Sequence, residues 1–440
     1  MYQLILLAVL ASLASAKDFR AGVARIDITP SKPIWLSGYA VRTKPSEGIV
    51  HKLWAKALAI DDGRGKVIIV TTDLIGLPRA VSDVVAARAA KEYGIERARL
   101  LMNSSHTHAG PVVRPNLMTM YTLTPDQKQV LDEYGLKLVD DLVGLIGAAI
   151  GDLAPAKLTV AHGKGTFAMN RRKPLADGSR GPSDQDVPVI SVRGTEGKLR
   201  AVLFGYACHN TTLGGDNYQI SGDYAGFAQY ALEEMQPGAV ALFMLLCGGD
   251  QNPQPRGTFQ LAEQHGKSLA TEVTRVLATS MKPVQPALKA SWQSIELAFA
   301  PHTKEQYDEE FRTGNQFRKA RAAAMLRAYE ERRPVKTIGY PVQAIRLGKE
   351  VTILALGGEV VVDYALRAKK EFAGTDLVVA GYSNDVMCYI PSRRVLKEGG
   401  YEAADSMIYY GQPGPFTEEV EETVFRSIYT VLGRVGIKRR

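Results

Sequence analysis

Six short, mostly apolar runs punctuate this sequence, at 67–71, 100–103, 201–207, 240–246, 351–356 and 377–380, and several alternate with longer stretches of helical periodicity. Apolar residues at roughly 3.6-residue spacing predict amphipathic helices over 80–92, 128–150, 224–235 and 260–278. Apolar strands alternating with such helices are most simply satisfied by a sheet covered by helices, so the pattern predicts an α/β fold. With 440 residues, 45% of them hydrophobic and 23% charged, the chain can bury a large core, which excludes disordered and fibrous classes. No internal repeat, low-complexity segment or long linker divides it. One catalytic domain over 17–440 is the simplest organisation. The stretch 302–333 stands apart, because dense charge and few large apolar residues predict exposed helices crossing the surface, either as a lid or as a plain excursion.

The apolar run at 4–13, followed by Ala14, Ser15 and Ala16, reads as a signal peptide over 1–16 and predicts export to a periplasm or the extracellular space. No Lys or Arg precedes the run. A membrane anchor is the alternative reading, but the run is too short to span a bilayer as a helix. Three cysteines, an odd number, do not make a disulfide framework. The net charge of +8 is dispersed among acidic residues with no dense basic run. That distribution argues against nucleic acid and is compatible with contact at an anionic membrane surface.

Chemistry concentrates where the apolar runs end, as ligand sites do in open α/β sheets. Residues 104–111 (SSHTHAGP) follow the run at 100–103, and 208–212 (CHNTT) follow the run at 201–207. Residues 247–253 (CGGDQNP) follow 240–246, while Gly357, Gly358 and Glu359 follow 351–356, and 381–384 (GYSN) follow 377–380. A catalytic zinc takes about three protein ligands and leaves room for water. His106, His209 and Glu359 supply two nitrogens and a carboxylate. Each histidine taken alone is more often structural than metal-bound, so it is the combination that carries weight. Cys208, Cys247 and Cys388 compete for the same role, since thiolate binds zinc well. In an extended chain Cys208 and His209 face opposite ways, as do Cys388 and Tyr389, which favours small cysteines packed behind the site.

These residues resemble the neutral, non-lysosomal ceramidases. The matching motifs are 21–30 (AGVARIDITP), 105–111 (SHTHAGP), 221–226 (SGDYAG), 249–253 (GDQNP) and 401–404 (YEAA), in family order along nearly the whole chain. The resemblance implies a mixed-sheet α/β catalytic domain that hydrolyses an N-acyl amide, ceramide or a related lipid amide, with one zinc ion and zinc-activated water. By position it implies His106, His209, Glu359 and Tyr389 as metal ligands. It further implies that His108, Arg171 and Tyr401 contact substrate, with His108 polarising a carbonyl or handling a proton and the other two stabilising an oxyanion. Arg172 competes with Arg171 for its place. Asp250 is read as a partner that orients a ligand histidine.

Two departures from the family qualify that picture. Asn252 stands where the family carries a serine, so no alkoxide nucleophile arises there, although an amide can orient substrate by hydrogen bonding. Only 405–440 follow the last motif, which implies the catalytic domain without the immunoglobulin-like domain that family members carry after it. A zinc-dependent esterase or hydrolase on a polar substrate is the second reading, to be told from the first by the pocket lining. A third is a non-catalytic, zinc-containing binding protein.

Overall fold

The computed structural model describes residues 18–172, 174 and 178–439, so the leader read in 1–16 lies outside the described residues. Two mixed sheets dominate it. The larger has nine strands, running in the order Val240–Leu245, Leu199–Tyr206, Asp186–Gly194, Ala154–Lys164, Phe19–Asp27, Trp54–Asp61, Lys66–Thr72 and Leu100–Ser104, with Lys282–Val284 paired to Ala154–Lys164. The smaller has four strands, in the order Leu288–Ala298, Thr337–Leu347, Val351–Leu356 and Leu377–Ala380.

Side-chain alternation explains how the sheets stack. On the larger sheet Val67, Ile69, Leu203 and Leu242 share one buried cluster with Ile345, Ile353 and Val378 of the smaller sheet. Their in-between neighbours point the other way. Ile68 and Val70 pack with Val85 and Leu142 of the helices Arg79–Tyr93 and Pro125–Gly151. Val202 and Phe243 pack with Tyr224 and Leu269 of Asp223–Met235 and Phe259–Leu277. On the far side, Leu354 and Val379 pack with Ala365 and Phe425 of Asp363–Glu371 and Val420–Arg434. The result is four layers, helix–sheet–sheet–helix, as the α/β expectation required.

All six strands expected from the sequence are present, as are the four helices, with ends shifted by at most three residues. The six strands form three parallel pairs: Lys66–Thr72 with Leu100–Ser104, Leu199–Tyr206 with Val240–Leu245, and Val351–Leu356 with Leu377–Ala380. Their carboxyl ends meet where the sheets meet. Asn103, fully buried, fastens that junction: its side-chain amide donates to the Leu245 and Gly381 carbonyls at 3.1 and 2.8 Å, and its oxygen accepts from the Leu245 N–H at 2.8 Å.

The stretch 302–333 forms the helices Lys304–Thr313 and Gln316–Glu330. They brace the chain rather than cap a site. Tyr307 donates to the Pro413 carbonyl at 2.9 Å, and Phe317 packs on Tyr409. Among the described residues, no side chain of this stretch lines the large cavity described below.

Candidate metal centre

Each end of a parallel strand delivers one part of the centre. After Leu100–Ser104 the chain turns through His106, whose φ of 61° is a left-handed value that non-glycine residues rarely adopt. The His106 N–H donates to the Leu74 carbonyl at 2.8 Å, and ring Nδ1 lies 2.5 Å from the Ile75 carbonyl. After Leu199–Tyr206, His209 donates its N–H to the Gln251 carbonyl at 3.0 Å, and its Nδ1 lies 2.7 Å from the Gly248 carbonyl. A carbonyl oxygen can only accept, so both Nδ1 atoms carry the proton. In the neutral imidazole, the form that binds a metal, this tautomer leaves both Nε2 atoms facing inward as the lone-pair donors.

The smaller sheet supplies the other half. Glu359 and Tyr389 sit side by side in a two-strand parallel pairing of Glu359–Val360 with Tyr389–Ile390. Gly358 makes this close approach possible, because its φ is +74° and a Cβ there would lie 2.7 Å from the Cys388 carbonyl. Glu359 Oε2 lies 3.0 Å from His106 Nε2 and 2.9 Å from His209 Nε2, and the Tyr389 hydroxyl is 3.1 Å from the same His209 nitrogen. Glu359 Oε1 accepts from the Tyr410 hydroxyl.

Two imidazole lone pairs and a carboxylate oxygen thus crowd one point, with the Tyr389 hydroxyl as the single donor among the four. Acceptors at about 3 Å from one another need a positive charge between them, and nitrogen and oxygen ligands of zinc at about 2.0–2.2 Å match that spacing. The donor set fits such an ion. Burial pushes the Glu359 carboxyl up, but His106 and His209 outweigh it and hold the group well below the usual carboxylate range. Burial pulls His209 down to about 4, reinforced by Arg171. Burial pushes the Tyr389 phenol up, with Arg171 opposing.

His108 belongs to the same cluster. Its Nε2 lies 3.1 Å from His106 Nε2, and the ring nitrogens of His106, His108 and His209 lie within 4.8 Å of one another. It differs in lining the cavity, in being only partly buried, and in leaving Nδ1 without a hydrogen-bond partner. Its ring packs on Tyr39 at 4.8 Å. Burial and the two neighbouring imidazoles hold it well below the usual histidine range, so it is neutral.

Outside this cluster opens a cavity of about 1040 Å³. Arg171 forms its inner wall, carried by the pairing of Ala168–Asn170 with Gln251–Pro253. Its guanidinium donates to Glu402 at 2.7 Å, to Asn252 Oδ1 at 3.2 Å and to the Tyr389 hydroxyl at 3.0 Å. Burial works against its charge, but Tyr389 and Glu402 more than compensate, so Arg171 stays cationic. Arg172 turns instead to Glu398 at 3.0 Å, Glu402 at 2.6 Å and the Gly399 carbonyl at 2.8 Å. Of the two competitors, Arg171 is the one that reaches the cluster. Tyr401 stands on the cavity rim, 42% exposed, with its ring against Tyr389.

Two expectations change. Asp250 does not orient a histidine: among the described residues its carboxylate accepts from Asn170 at 2.8 Å, Gln251 at 2.9 Å and the Val362 N–H at 2.9 Å. Backbone carbonyls of Ile75 and Gly248 perform that task, because the tight 248–250 turn aims the Gly248 carbonyl, not the Asp250 side chain, at His209. Asn252 faces the cavity, and its oxygen accepts from both Arg171 and Thr211, so it also orients protein groups. All three cysteines are free and buried in cores behind the centre.

Sequence reasoning missed Glu402, Tyr410 and Tyr382. Tyr382, whose ring lies 4.5 Å from that of His106, follows an expected strand and carried a usable signal. Tyr410 lies in no cluster of unusual residues. The motif 221–226 has a positional role: Asp223 accepts from the Leu213 N–H at 2.8 Å and Tyr224 donates to the Cys208 carbonyl at 2.5 Å, which fixes the loop bearing His209.

Comparison with known proteins bears on the family and the fold. The profile of the family described as neutral/alkaline non-lysosomal ceramidase, N-terminal, matches residues 19–285. The neutral ceramidase of Mycobacterium tuberculosis is 28% identical over 243 residues, which covers 50% of this chain and 38% of that protein. That of Pseudomonas aeruginosa is 28% identical over 251 residues, 53% of this chain and 37% of that one. This chain therefore aligns with well under half the length of these relatives. In three dimensions the crystal structure of the Pseudomonas aeruginosa neutral ceramidase superposes with a TM-score of 0.75 at 20% identity, over 96% of this chain and 75% of that one. The match spans both sheets, and the family profile covers more than half the sequence. On these grounds the chain belongs to the neutral/alkaline non-lysosomal ceramidase family.

Proposed function

We propose that this protein is an exported N-acyl amide hydrolase, acting on ceramide or a related lipid amide, that holds one zinc ion through His106, His209, Glu359 and Tyr389. The observation that carries the proposal is the knot of lone pairs from His106, His209 and Glu359 at the base of a cavity walled by His108 and Arg171. The relatives that the chain matches are neutral ceramidases, and they supply the reaction class.

Zinc at such a site supplies Lewis acidity, polarising a carbonyl and lowering the pKa of water. The chain's own residues supply the rest. Neutral His108 lines the cavity with its Nε2 turned to the cluster, 3.1 Å from His106 Nε2, where an imidazole can take a proton from attacking water and return it to the departing amine nitrogen. Arg171, locked by Glu402 and Asn252, presents a fixed cation to the oxygen that gains charge. Tyr401 on the rim adds a hydroxyl to the same face. Export rests on the leader read in 1–16; among the described residues no helix is long and apolar enough to cross a membrane.

The test is to measure zinc per chain and fatty-acid release from a panel of N-acyl amides. One zinc per chain with release of fatty acid is expected. Stoichiometric zinc without hydrolysis of any amide sinks the activity while sparing the site.

A further inference from the structure

Among its described residues, the cavity wall combines the rings of Tyr39, Tyr389 and Tyr401 with a concentration of guanidinium groups. Among the described residues lining it there is no Leu, Ile, Val, Met or Phe, but there are three arginines. Two of the guanidiniums are ion-paired where they stand, Arg171 with Glu402 and Arg172 with Glu402 and Glu398.

Arg256 is different. No carboxylate lies within ion-pair distance of it among the described residues, and its hydrogen bond is a long one, 3.4 Å from Nη2 to the Tyr39 hydroxyl. It is held in place by its neighbours: Gly257, at φ +117°, donates its N–H to the Thr212 carbonyl at 2.7 Å, and Gln254 donates to the Phe167 carbonyl at 2.9 Å. Tyr39 donates its own proton to the Leu213 carbonyl at 2.8 Å and packs its ring on His108. Arg256 is therefore a half-buried, uncompensated cation on the same wall as His108. Desolvating a charge without a partner is costly, and a guanidinium fork matches a carboxylate with two parallel hydrogen bonds.

Resting on the amide-hydrolase reading, we propose that the substrate is an N-acyl amide that carries a carboxylate, as an N-acyl amino acid does, and that Arg256 binds that carboxylate. In the reaction the oxygen of water bonds to the carbonyl carbon, the C–N bond breaks and a water proton goes to the departing nitrogen. The products are a fatty acid and an amino acid.

The zinc-loaded full chain is assayed on N-octanoylglycine and on the neutral N-octanoylethanolamine, with N-octanoyl-phosphoethanolamine as a phosphate probe. The carboxylate substrate is expected to win in kcat/KM by about tenfold or more, about the worth of one charged hydrogen-bonded pair. Arg256→Gln is expected to erase that preference through KM, and Arg256→Lys to retain part of it. Calorimetric binding of the two uncleaved probes is read separately from turnover. Tighter binding of N-octanoylglycine that depends on Arg256, with no hydrolysis of any amide tested, supports the anion site while refuting the hydrolase reading. Hydrolysis with equal kcat/KM for the glycine and ethanolamine amides, or a preference that Arg256→Gln leaves intact, overturns the proposal and spares the hydrolase. Preference for the phosphate probe overturns the carboxylate assignment.

Discussion

Histidine meets carboxylate in two places in this molecule, with the ratio inverted. At the candidate metal centre His106 and His209 share the single carboxylate of Glu359, all deeply buried. On the strand Ala154–Lys164, His162 lies between two carboxylates, 2.7 Å from Asp186 and 2.9 Å from Asp376. Partial burial pulls His162 down, but the two carboxylates override it and take it up to about 10, whereas burial takes His209 down to about 4. Two carboxylates hold the proton on His162, and burial removes it from His209. The ratio of groups and the access of water decide which outcome holds. Only the buried cluster has lone pairs to offer a metal.

The comparison is broken most severely at Glu359 and His106. His106→Ala is expected to lose both zinc, measured by elemental analysis, and detectable amide hydrolysis. His108→Ala is expected to keep zinc and lose about 10²–10⁴-fold in kcat; equal zinc loss in the two variants overturns their division of labour. Arg171→Met removes the fixed cation and is expected to lower kcat about 10²–10³-fold with zinc retained. Tyr410→Phe takes away the donor that holds Glu359, and a competition titration is expected to find zinc bound about 10–100-fold more weakly.

The smallest effect falls at the other histidine. Because the folded His162 value lies above the unfolded value of about 6.5, its stabilisation is full below that pH and disappears as pH rises through about 10. His162→Gln is expected to lower stability by about 1–2 kcal/mol at pH 6, after allowing for its partial exposure. Thermal melts of the two proteins converge by about pH 10; a gap that persists there contradicts the assignment.

The strands that sequence reasoning reached are the three parallel pairs, and those it missed are mostly antiparallel. Parallel strands here are buried on both faces, so 67–71 or 351–356 reads as an unbroken apolar run. Leu288–Ala298 is interrupted by Lys289, Gln293 and Glu296, and Ala154–Lys164 buries only alternate residues over 156–160, which leaves a weak signal. His106, His209 and Glu359 were legible for the same reason, since each follows a legible strand. Tyr389 became so through the family resemblance. Tyr410 and Arg256 reach the site by tertiary closure, which no local pattern announces, whereas Glu402 lay inside the motif 401–404 and was passed over for its neighbour Tyr401. Asp250 shows the complementary limit: a polar residue beside a histidine in the fold need not be the one that touches it.

His106 and His209 come from the larger sheet, Glu359 and Tyr389 from the smaller, so the candidate ligand set exists only once the two halves of the sandwich have docked. An ion bound by all four is then a thermodynamic tie between the sheets, absent from the unfolded chain and from either half alone. At free zinc 100-fold above its dissociation constant, such a tie is worth about 2.7 kcal/mol of folding stability. Chelation is accordingly expected to lower the melting temperature and to loosen amide protection first along the sheet-to-sheet seam at Asn103. Local contacts cannot report this seam early in folding, because His106 and Glu359 lie far apart in sequence. The metal would record the completion of the fold, and a half-assembled chain would have nothing with which to bind it.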